Sequence, residues 1–249
     1  MSAFEPLIVI PSRLASVRLE RKPLELIEGE PMIVHVMQRA VEAQMGPVVV
    51  ACCGPEIADV VEKKGGVAIV TDPNLPSGTD RIWAAVESLS ENLQPDIIVN
   101  LQGDLPNINV ETLRAVLRPL ENPEVDISTV ASVIKNPEEI TNPNVVKIAL
   151  AKETEHRGRG LYFSRQAIPF EAPTYYHHIG VYAYRYKALK RFVSLPASPL
   201  EKAERLEQLR ALEDGMRIDV ELVETIPQSV DTLSDLNSVR AWFQNQRAV

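Results

Sequence analysis

Cationic side chains are concentrated in one short polar stretch of the sequence, PSRLASVRLERKPL (11–24), which contains Arg13, Arg18, Arg21 and Lys22. Arginine forks and lysine ammonium groups neutralise phosphoryl oxygens, so this stretch is typical of a polyphosphate-binding loop. It has neither the G-x-x-x-x-G-K-[ST] pattern of a phosphate loop nor the G-x-G-x-x-G fingerprint of a dinucleotide site. The alternative interpretation is a solvated basic loop without a ligand.

Two aspartates follow apolar runs elsewhere in the chain. Asp104 lies in NLQGDLP (100–106), and Asp231 lies in SVDT (229–232). If their carboxylates converge, they form a site for Mg²⁺, which proteins usually hold with one or two carboxylates together with substrate phosphates and water. Taken separately, each aspartate is more typical of a helix cap or a turn than of a metal ligand. Sequence spacing alone does not decide between these possibilities.

A third polar segment, PSGTDR (76–81), has the S-x-x-D form of a helix start. The free backbone N–H groups at such a start could hold an anion or the edge of a nucleobase. The alternative is an ordinary helix cap.

Apolar runs rich in valine and isoleucine predict strands that are buried on both faces. These runs are PLIVIP (6–11), PVVVAC (47–52), GVAIVT (66–71) and DIIVNL (96–101). Helical patterns lie between them, with apolar faces at Ile33, Val36, Met37, Ala40 and Val41 and at Ile82, Ala85, Val86 and Leu89. This alternation predicts βαβ units and a mainly parallel sheet. Ligands bind at the carboxyl ends of such strands, so we expect the polar segments to meet at that edge.

The second half is less regular. DISTVASVI, VVKIALA, LYFS and HIGVYAYR predict strands, some of them antiparallel, in a subsidiary lobe at approximately 150–215. A helix over roughly 199–212 would place Glu204, Glu207, Gln208 and Ala211 on one stripe, for which a solvated face is the alternative. The strand RIDVELVET (217–225) and a terminal helix follow. We therefore predict one α/β domain over 1–249, with a mostly parallel mixed sheet and this lobe.

Composition excludes several classes of protein. The net charge of -8 argues against nucleic acid as a general partner. No stretch approaches the roughly 20 apolar residues of a membrane span, and the N-terminus lacks the features of a signal peptide, so we expect a cytoplasmic protein. Cys52 and Cys53 are adjacent and are expected to be buried thiols rather than a disulfide. No Cys/His cluster has the spacing of a zinc site.

Taken in order, the motifs resemble those of the 3-deoxy-manno-octulosonate (Kdo) cytidylyltransferases, the CMP-Kdo synthetases of lipopolysaccharide biosynthesis. The resemblance runs from about residue 7 to about residue 240. Each motif is weakly specific alone, but the set in this order is specific. The motifs are IPSRLASVRLERKPL, SGTDR, NLQGDLP, NPNVVK (142–147), LYFSR (161–165), HIGVYAYR (178–185), LEQLRALE (206–213) and VDTLSDL (230–236).

The resemblance implies a three-layer, Rossmann-like nucleotide-diphospho-sugar transferase fold with a small subsidiary or dimerisation lobe. It also implies a homodimer and Mg²⁺-dependent transfer of CMP from CTP to Kdo, with release of pyrophosphate. CTP and Kdo are then the small-molecule partners, and neither a nucleic acid nor a membrane is expected to be one.

The resemblance further implies a role for each matching residue. Arg13, Ser16, Arg18 and Lys22 match the loop that handles the phosphates and base of CTP, with Arg18 and Lys22 acting on the reacting phosphates. Ser77, Gly78 and Thr79 match a segment that helps to hold the cytosine, and Gln102 matches a residue at the sugar-nucleotide pocket. Asp104 and Asp231 match the metal-ligating, catalytic aspartates. The motifs that shape the Kdo site contain Arg165, His178, Tyr182, Glu204, Glu207 and Gln208.

Three segments of the sequence depart from the pattern of the family. Leu-Glu-Arg-Lys (19–22) stands where Leu-Pro-Gly-Lys is common, and Ser229 stands where a glycine is frequent. Leu105 stands where a glutamate is common. We expect Leu105 to be tolerated, because Asp104 and Asp231 suffice to hold the ion.

Other functions remain open at this stage. One is a cytidylyltransferase for a related acidic sugar, such as 8-amino-Kdo or sialic acid. Another is a non-catalytic nucleotide-sensing module on the same fold, since a fold does not fix a function. A third is a dimerisation scaffold whose polar strand ends are caps.

Overall fold

The structure is a computed structural model that describes residues 6–15, 18–89 and 95–247. In it, most of the apolar runs form the predicted strands, and most of the helical patterns form the predicted helices. The helices are α1 (Met32–Glu42), α2 (Pro55–Lys63), α3 (Gly78–Glu87), α4 (Val110–Ala115), α5 (Glu138–Thr141), α6 (Tyr186–Ser194), α7 (Pro199–Glu204), α8 (Leu209–Glu213) and α9 (Leu233–Arg247). The strands are β1 (Pro6–Ser12), β2 (Leu26–Ile27), β3 (Glu30–Pro31), β4 (Val48–Cys52), β5 (Val67–Val70), β6 (Ile97–Leu101), β7 (Ile127–Val133), β8 (Lys147–Lys152), β9 (Arg157–Ser164), β10 (Tyr176–Arg185) and β11 (Ile218–Leu222).

The chain divides into two compact units. Unit 1 consists of Met1–Leu113 and Pro227–Val249, and unit 2 consists of Arg114–Ile226. The α/β class is confirmed. The single domain with a lobe at approximately 150–215 stays a prediction.

The sheet of unit 1 contains four parallel strands in the order β5-β4-β1-β6. Every residue of β1 and β6 is buried, as expected for parallel strands that are covered on both faces. β5 differs, because Val67 and Val70 are exposed. Our prediction of burial on both faces is wrong for this strand, which ends the strand order and, among the described residues, pairs with β4 alone.

The helices of unit 1 pack through the faces that their sequences predict, with two exceptions. In α1, Ile33 and Val36 are completely buried, whereas Val41 is exposed. Val41 lies eight residues after Ile33 and is therefore turned about 80° away from it around the helix. Leu89 was expected on the face of α3, but that helix ends at Glu87.

A small apolar cluster anchors the C-terminal segment within unit 1. Its buried members are Ile27, Met32, Val230, Leu236 and Val239. The N–H of Val230 donates to the carbonyl of Asp104 at 3.0 Å. The residue after Val230 is Asp231, so this packing fixes the position of Asp231 beside Asp104.

Unit 2 contains the strands β10-β7-β11-β9-β8 in that order. β7 and β11 are parallel, and the other neighbours in this order are antiparallel. β8 also pairs with β10 through Lys147 and His177, so the five strands close into a ring. The antiparallel strands expected in the second half are confirmed.

The helix predicted over 199–212 is interrupted. Arg205 adopts the left-handed conformation (φ 56°) and ends α7, and α8 begins only at Leu209. Glu204 therefore lies on a different helix from Ala211, and the continuous stripe of polar side chains is wrong. The alternative interpretation, a solvated face, does not hold for Gln208, which is buried.

None of the helices in the described residues is long and apolar enough to cross a membrane.

Candidate active site

The loops that follow β1 and β6 meet the start of α3 and the start of α9 at one cleft in unit 1. The cleft has a volume of about 250 Å³. It is lined by Pro11, Ser12, Arg13, Lys22, Pro23, Ser77, Gly78, Arg81, Gln102, Gly103, Asp104 and Asp231. The predicted meeting of the polar segments at the carboxyl edge of the parallel strands is therefore confirmed within this unit.

The ammonium group of Lys22 lies at the centre of the polar contacts in the cleft. Its Nζ donates to Asp104 Oδ2 at 3.0 Å, to Asp231 Oδ1 at 3.1 Å and to the carbonyl of Val230 at 2.9 Å. The Lys22 side chain is only 17% exposed, so these charge-assisted contacts are partly shielded from solvent. One cation thus joins the basic loop to both aspartates.

The second oxygen of Asp231 has a partner of its own. Arg18 Nη2 lies 3.0 Å from Asp231 Oδ2, with both side chains well exposed. Such an exposed pair contributes little stability, about 0–1 kcal/mol. Arg18 and Lys22 therefore both face the carboxylate of Asp231 from the same basic loop.

Asp235 orients the main chain around Asp231. Its Oδ2 accepts from the N–H groups of Asp231 (3.1 Å) and Thr232 (2.8 Å), and Thr232 Oγ1 accepts from the N–H of Asp235. This reciprocal arrangement is a capping box at the start of α9. Burial raises the pKa of the Asp235 carboxyl, but the hydrogen bonds from Thr232 and Asp231 outweigh it, so the pKa lies below its usual value. The T-x-x-D pattern in the sequence could have identified Asp235.

The aspartate pair fits a divalent cation. Asp104 and Asp231 both place a carboxylate oxygen about 3 Å from the single ammonium of Lys22, so the two oxygens converge on one positive charge. No group of three or more His, Cys, Asp or Glu side chains suited to a metal occurs among the described residues. Two carboxylates are nevertheless the usual protein contribution to a Mg²⁺ site that is completed by phosphates and water.

The close approach of two loops explains the glycine in NLQGDLP. A Cβ on Gly103 would lie 2.8 Å from the carbonyl oxygen of Pro11, which is closer than a side chain allows. Gly103 therefore lets the loop after β6 pass over the end of β1, and the next residue, Asp104, lines the cleft. Leu105 is buried and belongs to the core of unit 1 rather than to the lining of the cleft.

An amide pair sits beneath this loop. Gln102 Nε2 donates to Asn100 Oδ1 at 2.7 Å, and Asn100 Nδ2 lies 3.5 Å from Thr79 Oγ1. Gln102 lines the cleft, whereas Thr79 is buried behind it. Gln102 is thus held at the position expected for a pocket residue, and Thr79 supports the wall through Asn100.

Ser77 acts as the cap of α3. Its Oγ accepts from the N–H of Asp80 at 3.1 Å and donates to Asp80 Oδ2 at 2.6 Å. The hydroxyl is therefore engaged within the helix start, while Ser77 and Gly78 still line the cleft. Of the remaining predicted residues, Arg13 lines the cleft and is exposed, and Ser16 lies outside the described residues.

Two residues of the cleft were missed by sequence reasoning. Ser12 is 5% exposed, and its hydroxyl has no hydrogen-bond partner within 6–15, 18–89 and 95–247. Arg81 is 2% exposed and donates to Thr71 Oγ1 at 2.6 Å and to the carbonyl of Asp72 at 3.1 Å. Arg81 is the last residue of the SGTDR motif, so this motif was the signal in the sequence that could have identified it. For Ser12, the signal was its place at the end of β1.

The structure accounts for one departure from the family pattern. Arg21 has φ 52° and ψ 28°, in the left-handed region that glycine adopts without strain and that costs other residues roughly 1–2 kcal/mol. Its side chain lies 3.6 Å from Glu56 at the start of α2, with both groups half exposed. The chain therefore keeps the backbone shape that suits a glycine and places an additional exposed charge there.

In unit 2, His178 is buried beside Tyr182, with ring centroids 5.3 Å apart. Thr129 Oγ1 donates to the carbonyl of Val181 at 2.7 Å and lies 3.0 Å from His178 Nε2, so Nε2 must carry the hydrogen between them. Burial lowers the pKa of His178 to about 3, and His177 lowers it further in the same direction. His178 is therefore a neutral donor at physiological pH.

Tyr182 also stays neutral. Burial raises the pKa of its hydroxyl well above the usual value, and the neighbouring Tyr184 and Glu207 act in the same direction. Tyr182 thus lies beside His178 and is influenced by the charge of Glu207.

Arg165 and Glu204 hold each other. Glu204 accepts from the N–H of Arg165 at 3.0 Å and from Ser164 Oγ at 2.6 Å, and Arg165 Nε donates to the carbonyl of Glu204 at 2.9 Å.

Gln208, by contrast, is 6% exposed, and its Nε2 has no hydrogen-bond partner among the described residues. A buried donor without an acceptor is costly, so the Nε2 of Gln208 is a candidate donor to a ligand.

Comparison with known proteins places this geometry in a family. The family model described as "Cytidylyltransferase" matches residues 7–218. A 3-deoxy-manno-octulosonate cytidylyltransferase from Paramagnetospirillum magneticum is 54% identical over 97% of this chain and 98% of its own length. The enzyme of the same name from Rhodopseudomonas palustris is 52% identical over 96% of this chain and 98% of its own length. The chain belongs to the 3-deoxy-manno-octulosonate cytidylyltransferase family.

Comparison with solved structures supports the same family assignment. A CMP:2-keto-3-deoxy-manno-octonic acid synthetase complexed with CTP superposes with a TM-score of 0.89 at 36% identity, covering 97% of this chain and 99% of that one. A cytidylyltransferase from Leptospira borgpetersenii has a TM-score of 0.63 at 14% identity, covering 97% and 87%, which shows the fold alone. As a member of the 3-deoxy-manno-octulosonate cytidylyltransferase family, the protein is a nucleotidyltransferase with the expected nucleotide-diphospho-sugar transferase fold.

Leu105→Glu tests whether a carboxylate is missing after Asp104. Leu105 is 4% exposed, so the new carboxyl would be buried without a partner, and the free energy of unfolding should fall by roughly 1–3 kcal/mol without a gain in turnover. Urea unfolding and pyrophosphate release measure the two effects. Leu105→Gln is the uncharged control. A rise in turnover of several orders of magnitude would instead show that the cleft needs a third carboxylate.

The buried His178 predicts a pH dependence of stability. Its pKa is about 3 when folded and about 6.5 when unfolded, so the unfolded state binds more protons and the stabilisation, complete above pH 6.5, is lost as the pH falls. His178→Gln keeps a donor for Thr129 but does not titrate. Between pH 7 and pH 5 the parent should lose about 2 kcal/mol more unfolding free energy than this variant.

Urea unfolding at each pH measures the difference. Equal slopes for the parent and His178→Gln would contradict the neutral, buried imidazole.

Proposed function

We propose that this protein transfers CMP from CTP to Kdo, with release of pyrophosphate, in the supply of activated Kdo for lipopolysaccharide biosynthesis. The observation that carries the proposal is the convergence of Lys22, Asp104 and Asp231 at one cleft in a chain of this family. The resemblance of LYFSR and HIGVYAYR to the Kdo enzymes, and the names of the relatives, support Kdo as the sugar.

The reaction requires positioning and charge neutralisation rather than a protein nucleophile. The anomeric hydroxyl oxygen of the sugar bonds to the α-phosphorus of CTP, the bond to pyrophosphate breaks, and the hydroxyl proton is released. Arg18 and Lys22 would neutralise charge on the α-phosphate and on the departing pyrophosphate. Both cations come from one loop, so they would move together from the aspartates to the phosphates.

Asp104 and Asp231 would hold Mg²⁺ together with phosphate oxygens and water. When bound, this ion supplies neutralisation of phosphoryl charge and lowers the pKa of the attacking hydroxyl. Asp235 keeps the Asp231 main chain in place for this role, and Val230 ties it to the loop of Asp104. Gly103 and Gln102 would form the wall of the pocket beside the reacting phosphate.

In unit 2, the acidic sugar would meet neutral groups and one amide. His178 and Tyr182 stay uncharged because of burial, so neither would carry a charge that repels an anion. The Tyr182 hydroxyl could donate to a hydroxyl or carboxylate oxygen, whereas the Nε2–H of His178 is engaged by Thr129 and its Nδ1 could only accept from a sugar hydroxyl. The Nε2 of Gln208, which has no partner within the described ranges, is the donor that most clearly needs a ligand acceptor. Arg165 and Glu204 would shape this site through their mutual contacts, and Glu207 lies on the same segment.

Pyrophosphate release with CTP tests the proposal directly. The purified protein is supplied with Kdo, 8-amino-Kdo or sialic acid, with and without Mg²⁺. Turnover that is fastest with Kdo and that depends on Mg²⁺ is the expected result. Activity only with another sugar would overturn the choice of Kdo. Tight CTP binding without turnover of any acidic sugar would favour the sensing module instead.

Asp104→Asn tests the metal-holding role while preserving shape. We expect kcat/KM to fall at least about 100-fold, because charge neutralisation at the reacting phosphate is lost. The enhancement of CTP affinity by Mg²⁺, measured by calorimetry, should also disappear.

Asp59→Asn, at an exposed position of α2, is the matched control and should behave as the parent. If Asp104→Asn turned over CTP at the rate of the parent, the role assigned to Asp104 would be wrong. The homodimer and the cytoplasmic location stay predictions, and light scattering of the purified protein would measure the first.

A further inference from the structure

Lys147 in unit 2 is a charged side chain that the proposed reaction does not use. It begins β8 and has 0% exposure. Its ammonium donates three hydrogen bonds, to the carbonyl oxygens of Asn142 (2.9 Å), Val145 (2.6 Å) and Arg165 (2.6 Å). All three go to the main chain, and together they join the loop before β8 to the end of β9.

Placing an ammonium there carries a solvation penalty that an apolar side chain of the same length would avoid. The three short, charge-assisted hydrogen bonds offset part of that penalty. They fix carbonyl groups from two separate segments around one point, which an apolar side chain could not do. The benefit of the lysine therefore lies in geometry.

The most informative of the three contacts is with Arg165. The carbonyl of Arg165 is held by Lys147, and its N–H is held by the carboxylate of Glu204 at 3.0 Å. Its guanidinium reaches across to both partner segments, with Nη1 donating to the carbonyl of Pro143 at 2.9 Å and Nε donating to that of Glu204 at 2.9 Å. Hydrogen bonds thus fix both the main chain and the side chain of Arg165.

Arg165 also contacts the segment that carries Gln208. Arg165 Nη2 lies 3.4 Å from the carbonyl of Arg205, the left-handed residue that ends α7. Glu207 and Gln208 lie two and three residues further on, and the buried Nε2 of Gln208 has no partner in the part of the chain that the structure describes. The position of Arg205 sets where these two side chains are presented, since it is the turn between α7 and α8.

Lys147 also lies beside β10. Its partner across the pairing of β8 with β10 is His177, and the N–H of His178 donates to the carbonyl of Val146 at 2.9 Å. The start of β8 therefore touches the strand that carries His178 and Tyr182 as well as the segment that carries Arg165.

We propose that Lys147 is a positioning residue of the acidic-sugar site, which fixes Arg165 and, through it, the turn that presents Glu207 and Gln208. This inference rests on the proposed function, since it assigns the acidic-sugar site to unit 2. Lys147 does not touch the reacting atoms. It acts through the main-chain carbonyl of Arg165.

Steady-state kinetics of Lys147→Met provide the test, because methionine fills the buried space but donates no hydrogen bond. We expect the KM for the sugar to rise about 10- to 100-fold, as for a displaced binding group, while the Kd for CTP and kcat at saturating sugar stay within about threefold. Lys147→Gln introduces a smaller, neutral donor, so its KM for the sugar should lie between that of the parent and that of Lys147→Met. Lys152→Met, at the exposed end of the same strand, should match the parent.

A double-mutant cycle with Arg165→Ala separates positioning from general stability. If Lys147 acts through Arg165, Lys147→Met should add little to the KM of Arg165→Ala, whereas independent effects would multiply. Circular dichroism and CTP binding establish that each variant is folded. Should Lys147→Met not fold, the same cycle is run with Lys147→Gln.

An unchanged sugar KM in the folded variants, equal losses in CTP binding and sugar KM, or full multiplication in the cycle would each overturn the inference. These results leave the activity of the parent intact, so they do not affect the proposed function. A parent that turns over no acidic sugar would overturn the proposed function and the inference together.

Discussion

The candidate active site of unit 1 depends on one electrostatic constraint, the need of two neighbouring carboxylates for positive charge. Asp104 and Asp231 come from loops that are more than a hundred residues apart in the chain, and the ammonium of Lys22 lies about 3 Å from an oxygen of each. Without a cation between them, these like charges would repel each other. The surrounding features serve to maintain this arrangement. Gly103 permits the close approach of the loops, the apolar cluster around Val230 anchors the terminal segment, and Asp235 orients it.

Unit 2 meets a related requirement by another means. There the ammonium of the buried Lys147 donates to three carbonyl oxygens. The guanidinium of Arg165 also donates to main-chain carbonyl groups. Carbonyl dipoles stabilise both cations, so these particular contacts need no ionised carboxylate, unlike the contact of the Arg165 N–H with Glu204. His178 and Tyr182 stay neutral beside them because burial disfavours their charged forms.

Much of the fold and of the cleft could be predicted from sequence, because local patterns determine them. The valine-rich runs identified the four parallel strands of unit 1, and the rule for strand ends gathered Lys22, Gln102, Asp104 and Asp231 at one edge. The break at Arg205 could not be predicted, since nothing local marks a left-handed arginine, and the helical period continues through it. The exposure of Val67 and Val70 depends on the strand order, which short-range patterns do not specify. Lys147 was overlooked because a lysine at the start of a strand usually reaches solvent.

The order of strands in unit 2 has a consequence for how the chain folds during synthesis. β11 lies between β7 and β9, yet it is the last strand of the sheet to leave the ribosome. Until residue 222 has emerged, β7 and β9 lack the neighbour that joins them, and their unpaired edges stay open to other chains. Contacts so distant in sequence form slowly, because a long loop must close before they can contribute. The sheet of unit 2 must therefore remain incomplete at its centre until β11 has been made, and its open edges need protection from aggregation during that period.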